Sequence, residues 1–393
     1  MPQTATPQNE TELADIVRAA AAEKRTFEIV GRRTKRGLGR PVDADAILDL
    51  SALAGIVRYE PDELIITARA GTLIAEIEAV LGEKNQRLGF EPADWSALYG
   101  TPARTSTIGG VLSADASGSA RLRYGAARDH LLGFRAVNGS GELYNAGGRV
   151  VKNVTGFDVP KLFCGAMGTL GPLVEVTLRL VPRASDSATL AIKDVEPETG
   201  FAFLRRIWSS PLEPTGLAYV PKIAGEAFAA LDGIGEGAAL IRIDGAAGPL
   251  ADKIGLLKTL LDGREATPLP DTNGIFARIA SGEAFAARTD DIWRVFVPPA
   301  SAAACARALA SPFWLADWAG GVLWIAGGAA DEIHAVAQSF GGHAMLMRAS
   351  AETRARVNVY PPEVPTRAAL TRRVKDAFDL LGLFNPGRMF EGV

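Results

Sequence analysis

The sequence predicts an α+β protein of two parts, the second a smaller antiparallel α+β cap. Two observations carry this reading. The first is a pair of glycine-rich approaches, TSTIGGVLSADASG at 105–118 and GAMGTLG at 165–171, separated by a hairpin and closed by the alternating run PLVEVTLRLVP. The second is a change of texture after Pro182, where short apolar strands alternate with Ala-rich helices as far as residue 350. With 393 residues and 48% hydrophobic content, the chain can fill two or three real cores, and a disordered protein is excluded.

In chain order, residues 9–24 predict a helix: Asn9 and Glu12 form a capping-box pair, and Leu13, Ile16, Val17 and Ala20 share a face. The strand TFEIV at 26–30 runs into GRRTKRGLGR, and a strand followed by a glycine-bearing turn presents amides to a phosphate. Two readings of that turn stand: a solvated basic turn, or a phosphate cradle in which Lys35 or an arginine adds charge. A Walker loop is excluded, because Gly31 to Gly37 has the wrong spacing and no Lys-Ser or Lys-Thr follows.

Residues 46–71 read as strand, turn, strand, turn, strand, with Pro61 and Asp62 in the second turn. A helix follows at 72–82, with Leu73, Ile77, Val80 and Leu81 on one face and Gly82 at its end. Residues 85–104 are loop-like, and Trp95 and Tyr99 there suit either ligand stacking or plain packing. The hairpin at 131–146 turns on Asn138 to Gly141, and its GSG lacks the context of a nucleophile elbow. Beyond Pro182, helices at 249–262, 300–310 and 331–340 alternate with strands such as GLAYV, AALIRI and VLWIAGG, giving an antiparallel sheet covered by helices on one side. Its pairs of strand–helix–strand units suggest an internal repeat, though their sequences are too dissimilar to count it. In the tail helix, Val374, Ala377, Phe378 and Leu381 share a face, and NPGRMF follows.

Charge and cysteine usage narrow the partners and the setting. Lys plus Arg is 42 against 45 for Asp plus Glu, so no polyanion footprint exists and nucleic acid is not an expected partner. Cys164 and Cys305 are too few and too distant for a disulfide framework or an iron–sulfur site, and the N-terminus lacks a leader pattern; a reducing, cytoplasmic setting is expected. No apolar run reaches about 18 residues, so any membrane contact would run through a partner. The three histidines, His130, His334 and His343, are dispersed, and a His-x-His metal site is not expected. Trp314, Trp318 and Trp324 suit either an interface or a core.

Together the two glycine-rich turns resemble the second lobe of the FAD-binding domain of the vanillyl-alcohol oxidase, or PCMH-type, superfamily. Within it, KNVTGFDV at 152–159, WRVFVPP at 293–299, FWLADWAGG at 313–321, GGHAMLMR at 341–348 and NPGRMF at 385–390 resemble the E subunits of glycolate oxidase over nearly the whole chain. That resemblance implies a two-lobed PCMH-type FAD-binding domain over 1–182, lobe one about 1–50 and lobe two about 51–182, then the cap over 183–365 and a helix and tail over 366–393 returning to the FAD domain. It implies FAD contacts from Gly31, Arg32, Arg33, Thr34, Lys35, Arg36 and Gly37 in the first loop. Lobe two would add Thr101, Pro102, Ser106, Thr107, Gly109, Gly110, Ala114, Ser117 and Gly118, and the second glycine-rich turn Gly168, Thr169, Leu170, Gly171 and Leu173. The first loop departs from the family pattern, with Arg32 and Arg33 where further glycines stand.

FAD would be held non-covalently, since residues 29–40 contain neither His nor Cys. Met167 stands where catalytic relatives carry Glu, and Lys152, Asn153 and Asp158 read as surface or cap groups unless a flavin lies beside them. The function so implied is an FAD-binding subunit of a multi-subunit glycolate oxidase, which converts a 2-hydroxy acid to a 2-oxo acid. This chain would serve electron relay or assembly, partnered by a catalytic FAD subunit and an iron–sulfur subunit. Two alternatives stay open: a stand-alone flavin-dependent 2-hydroxy-acid dehydrogenase, and a flavin-free scaffold.

Overall fold

The computed structural model describes residues 3–148, 158–270 and 274–392. Its N-terminal helix, Glu10–Glu23, starts where the sequence places it: Asn9 Oδ1 accepts from the Glu12 amide at 2.9 Å. The reciprocal half of the box shifts by one residue, with Glu12 Oε2 accepting from the Gln8 amide at 2.8 Å. Leu13, Ala14, Val17 and Ala20 bury its inner face against a parallel sheet ordered Gln3–Ala5, Ala46–Asp49, Phe27–Val30. The far end of the chain completes that sheet. Phe384 bridges Phe27 in parallel, the Phe27 amide donates to Leu383 O at 2.7 Å, and the Asn385 amide donates to Phe27 O at 2.9 Å.

A second, antiparallel sheet runs Ile56–Glu60, Ile65–Arg69, Leu173–Arg179, Leu131–Val137, Leu143–Gly147. In its central strand Val174, Val176 and Leu178 are buried and Glu175 and Arg179 half-buried, but Thr177, on the expected open face, is buried as well and pairs its hydroxyl with that of Thr67 at 2.9 Å. The helix expected at 72–82 spans Ile74–Gly82 and buries Ile74, Ile77 and Leu81, whereas Leu73 and Val80 are only half-buried. Two local expectations change. Residues 85–104 hold a short strand, Gln86–Arg87, paired with Val181–Pro182, and a helical turn, Ser96–Tyr99. Gly109 and Gly110 lie inside a short helix, Ile108–Ser113, because Thr107 caps it by accepting from the Gly110 amide at 3.3 Å.

The cap is an eight-stranded antiparallel sheet with a regularity that the sequence hides. Its first half runs Asp186–Lys193, helix Pro197–Trp208, Gly216–Pro221, Gly237–Gly245, helix Ala247–Thr259, Thr267–Leu269; its second runs Ile292–Phe296, helix Ala302–Leu309, Trp314–Asp317, Val322–Ala326, helix Ala330–Ser339, His343–Arg348. Each half is a β-α-β-β-α-β unit with the same internal strand order, and the two meet at Tyr219 and Ala316. Those four helices cover one face around Phe201, Leu204, Ile241 and Leu323. The opposite face joins the apolar core of lobe two, where Ala218, Leu240 and Trp324 belong to one cluster with Phe90, Trp95 and Val111.

All three clustered tryptophans are packing groups: Trp324 is fully buried, Trp314 stacks 5.7 Å from Tyr219, and Trp318 Nε1 donates to Gly118 O at 3.1 Å. Trp95 likewise donates to Ala280 O at 3.2 Å, so these indoles tie cap to lobe two. The tail helix, Pro365–Phe378, corrects an expectation: Ala377 and Leu381 are exposed, while Lys375 is buried between half-buried Val374 and Phe378. Among the described residues, no helix is long and apolar enough to cross a membrane. Lys152 and Asn153 lie outside the described residues.

Candidate functional site

Where the two sheets face each other, a cleft of about 100 Å³ is lined by Gly31 to Arg36, Thr107, Gly109, Gly110, Ala114, Gly168, Gly171 and Leu173. Its floor is tight backbone. A Cβ at Gly31 would stand 2.7 Å from Thr107 Oγ1, and one at Gly109 would stand 2.9 Å from Ala70 O; Gly171 holds φ +145° with Val137 O 2.6 Å from any added Cβ. Glycine is the residue that lets the chain segments meet at these points.

The first loop divides its residues. Arg32, Arg33 and Arg36 are exposed at the rim of the cleft, while Thr34 and Lys35 are buried. Arg36 pairs with Glu28, and Arg33 lies 3.7 Å from Asp49. Lys35 has no carboxylate within ion-pair distance among the described residues; its ammonium donates to Ser106 Oγ at 2.9 Å and to Thr34 Oγ1 at 3.4 Å. Burial pulls its pKa down to about 8, against a weaker upward pull from Asp94. The backbone amides of residues 31–35 also find no acceptor among the described residues. Free amides beside an unneutralised buried cation form a site for an anion with several oxygens.

A larger cavity, about 640 Å³, opens on the other side of Ser106, between lobe two and the cap. Pro92, Asp94, Val111 and Gly118 line it from lobe two, and Arg242, Phe276 and Ala280 from the cap. Arg242 is almost fully buried: Nε donates to Thr215 Oγ1 at 3.1 Å and Nη2 to Glu91 Oε2 at 2.8 Å and Thr215 O at 2.9 Å. Its Nη1 makes no hydrogen bond among the described residues. Lys35 stands between the two spaces, in the wall of one and bonded to Ser106 in the wall of the other.

Several expected contacts lie elsewhere. Gly37 abuts the Tyr99 ring, Thr101 keeps its hydroxyl buried without a partner, and Pro102 is exposed. Ser117 Oγ accepts from the Ala127 amide at 2.9 Å, a structural bond. Thr169 donates to Ala166 O at 2.7 Å, and Leu170 is buried in the core. Conversely, Leu50, Ser113, Asn385 and Arg388 line the smaller cleft unannounced. Asn385 Oδ1 accepts from the Ile29 amide at 2.8 Å and its Nδ2 donates to Met167 O at 2.7 Å, while Arg388 Nη2 donates to Lys35 O at 2.9 Å. The NPGRMF tail was the only sequence signal for this clamp.

None of the histidines lines either space. His130 lies between Arg179 O and Tyr124 O, at 3.1 and 2.9 Å, and burial lowers its pKa. His334 Nε2 lies 2.8 Å from Asn358 O, and His343 stacks 4.8 Å from Phe296. Trp95 and Tyr99 are packing residues: the Tyr99 hydroxyl donates to Met347 O at 2.6 Å.

Comparison with known proteins gives the family and the fold. An FAD binding domain family matches residues 2–147. Glycolate oxidase subunit GlcE of Escherichia coli (strain K12) is 31% identical over 384 residues, covering 96% of both chains. Glycolate oxidase subunit GlcD of Bacillus subtilis (strain 168) is 29% identical over 150 residues, 38% of this chain and 30% of that one. Among solved structures, p-cresol methylhydroxylase with substrate bound superposes with a TM-score of 0.71 over 99% of this chain and 88% of that one, at 13% identity, a likeness of fold.

The fold is therefore that of the vanillyl-alcohol oxidase, or PCMH-type, FAD-binding class. Within that class, the chain belongs to the GlcE family of glycolate oxidase subunits.

Proposed function

We propose that this chain is the FAD-binding subunit of a cytoplasmic, multi-subunit glycolate oxidase, and that it relays electrons or holds the assembly while another subunit oxidises the 2-hydroxy acid. The partners are a catalytic FAD subunit and an iron–sulfur subunit. Residues 1–182 form the flavin domain, 183–365 the cap and 366–393 the returning tail, a division supported by the change from mixed sheets to one eight-stranded sheet after Pro182.

FAD, when bound, supplies the two-electron carrier; the chain's residues supply its bed. The loop 31–35 takes the diphosphate, with its amides, Lys35 and Arg32 as donors, and the turns at 107–110 and 168–173 hold the dinucleotide on either side. We infer a non-covalent link, since residues 29–40 contain neither the His nor the Cys that would attach a flavin there. The observation that carries the relay reading is the placement of the histidines. All three are held by backbone carbonyls or aromatic stacking away from both spaces, so neither space contains an imidazole base.

The test is the absorption spectrum of the purified chain after FAD supplementation. A flavin spectrum without turnover of glycolate by the chain alone is expected; failure to hold FAD would defeat the relay. A second reading, independent oxidation of a 2-hydroxy acid, draws support from Arg242, a buried cation with a spare donor in the larger cavity. Turnover of glycolate or D-lactate with an artificial acceptor by the isolated chain would establish it instead.

A further inference from the structure

We propose that residues 383–388 form a third wall of the flavin site, that Asn385 is the positioning residue within it, and that docking of this segment and binding of FAD are linked. The inference rests on the FAD reading above, in which the loop 31–35 and the turn at 168–173 hold the cofactor.

One side chain spans the two cofactor-holding turns. Asn385 Oδ1 accepts from the Ile29 amide at 2.8 Å, in the strand that runs into the first loop, and Nδ2 donates to Met167 O at 2.7 Å, beside Gly168. An acceptor facing an amide and a donor facing a carbonyl suit a carboxamide, and a carboxylate lacks the donor. A Cβ on Gly168 would stand 2.7 Å from that Nδ2, so the glycine turn closes directly onto Asn385. Asn385 is buried, lines the cleft and holds φ 45°, a left-handed conformation that asparagine tolerates better than most residues.

The rest of the segment grips the same two turns. Arg388 Nη2 donates to Lys35 O at 2.9 Å and Arg388 O accepts from the Arg40 amide at 2.8 Å, so the first loop is held at its end as well as at its entry. Phe384 bridges Phe27 in the sheet beneath, and Phe384 O shares the Lys375 ammonium with Thr169 O, at 3.0 and 2.6 Å. These bonds end on backbone adjoining the 31–35 amides, which find no acceptor among the described residues. Recognition of a diphosphate by amides depends on their spacing and direction, and here both are set by a segment far away in sequence. Undocking that segment frees the two turns from each other. FAD, which needs them in register, therefore favours the docked state, and docking favours FAD by the same factor.

The experiment takes the full chain with and without FAD and reads amide hydrogen exchange by mass spectrometry, melting temperature, and FAD affinity by fluorescence titration. In wild type, FAD should slow exchange across 383–388 by about tenfold or more beyond any slowing in the cap strand Gly237–Gly245. Asn385→Gly removes both side-chain bonds and keeps the left-handed backbone unstrained. It should weaken FAD binding by about tenfold and shrink the FAD-dependent rise in melting temperature. The control Ile241→Val, in the cap core, should lower the melting temperature and leave FAD affinity unchanged. An Asn385→Gly chain that melts lower yet binds FAD as tightly as wild type would make Asn385 a brace and overturn the proposal, as would exchange that slows equally in tail and cap. Should that variant fail to fold, the wild-type exchange comparison decides alone. A wild-type chain that takes up no FAD sinks the flavin reading itself, whereas FAD uptake with no added protection of 383–388 sinks only the linkage.

Discussion

Lys375 Nζ and Asp379 Oδ2 lie 2.6 Å apart, one turn from each other on the tail helix, and both are buried. Asp379 in turn accepts from the Leu383 and Phe384 amides at 2.9 and 2.8 Å, so the pair fixes the turn that feeds Phe384 into the first-lobe sheet. Burial pulls the Lys375 pKa down and Asp379 pushes it up, which keeps the pair's value tied to its partner. Replacing one member leaves the other charge buried and alone. Lys375→Met should therefore cost about 3–5 kcal/mol and expose the tail to proteolysis before the rest of the chain. Limited proteolysis with mass spectrometry checks this, and a tail as resistant as wild type's would refute it.

Buried Arg242 and half-buried Glu91 form a second contact, across lobe two and the cap, at 2.8 Å. Glu91 also accepts from the Ala120 amide at 3.0 Å, and the Arg242 guanidinium lies 5.1 Å over Phe276. Arg242→Met should lower stability by about 2–4 kcal/mol; Glu91→Gln, which keeps the amide contact, should cost less. Their combination should fall short of the sum by about 1.5 kcal/mol or more. Strict additivity in urea unfolding would show that the two side chains do not support each other.

The elements most open to reading were those set by local rules. Asn9 capped its helix, and the alternation at 173–179 announced a strand, because each depends on residues a few positions apart. Tertiary demands were hidden. Lys375 reads as a solvent-facing residue until Thr169, Asp379 and Phe384 converge on it, and Ala377 reads as core until the helix is seen resting on Val374, Lys375 and Phe378. The cap's doubled topology escaped for a related reason: a β-α-β-β-α-β unit needs only the right period of apolar residues, which unlike sequences supply equally well. The sequence reads the first loop as a cradle or a basic turn; the folded loop buries Thr34 and Lys35 and leaves Arg32, Arg33 and Arg36 exposed.

Arg33 adopts φ 61°, a left-handed conformation that costs a side-chain-bearing residue about 1 kcal/mol. Its contact with Asp49 is long and half-exposed, and contributes little. Arg33→Gly should therefore hold or raise the melting temperature by roughly 2–4 °C and leave FAD affinity intact. Arg32→Gly removes a cation with no partner and should weaken FAD binding. Calorimetry with flavin titration separates the two, and a lower melting temperature for Arg33→Gly would contradict the strain argument.

For Lys35 stability and binding should move in opposite directions. Its folded pKa, about 8, lies below its ordinary 10.5. Between those values the unfolded chain holds a proton that the folded chain has released, so stability of the flavin-free protein rises as pH climbs from 8 to 10.5. Below pH 8 the buried charge is a standing cost. Lys35→Met removes that cost and should stabilise the flavin-free chain at pH 7 by roughly 1–3 kcal/mol, with the pH dependence between 8 and 10.5 reduced. A diphosphate binds the protonated amine, so wild-type FAD affinity should fall as pH rises through 8, and Lys35→Met should show weak binding at every pH. Unfolding curves and fluorescence titrations at pH 7, 8.5 and 10 provide both readouts. A variant that loses stability while keeping its FAD affinity would show that Lys35 braces Thr34 and Ser106 and does not meet the cofactor.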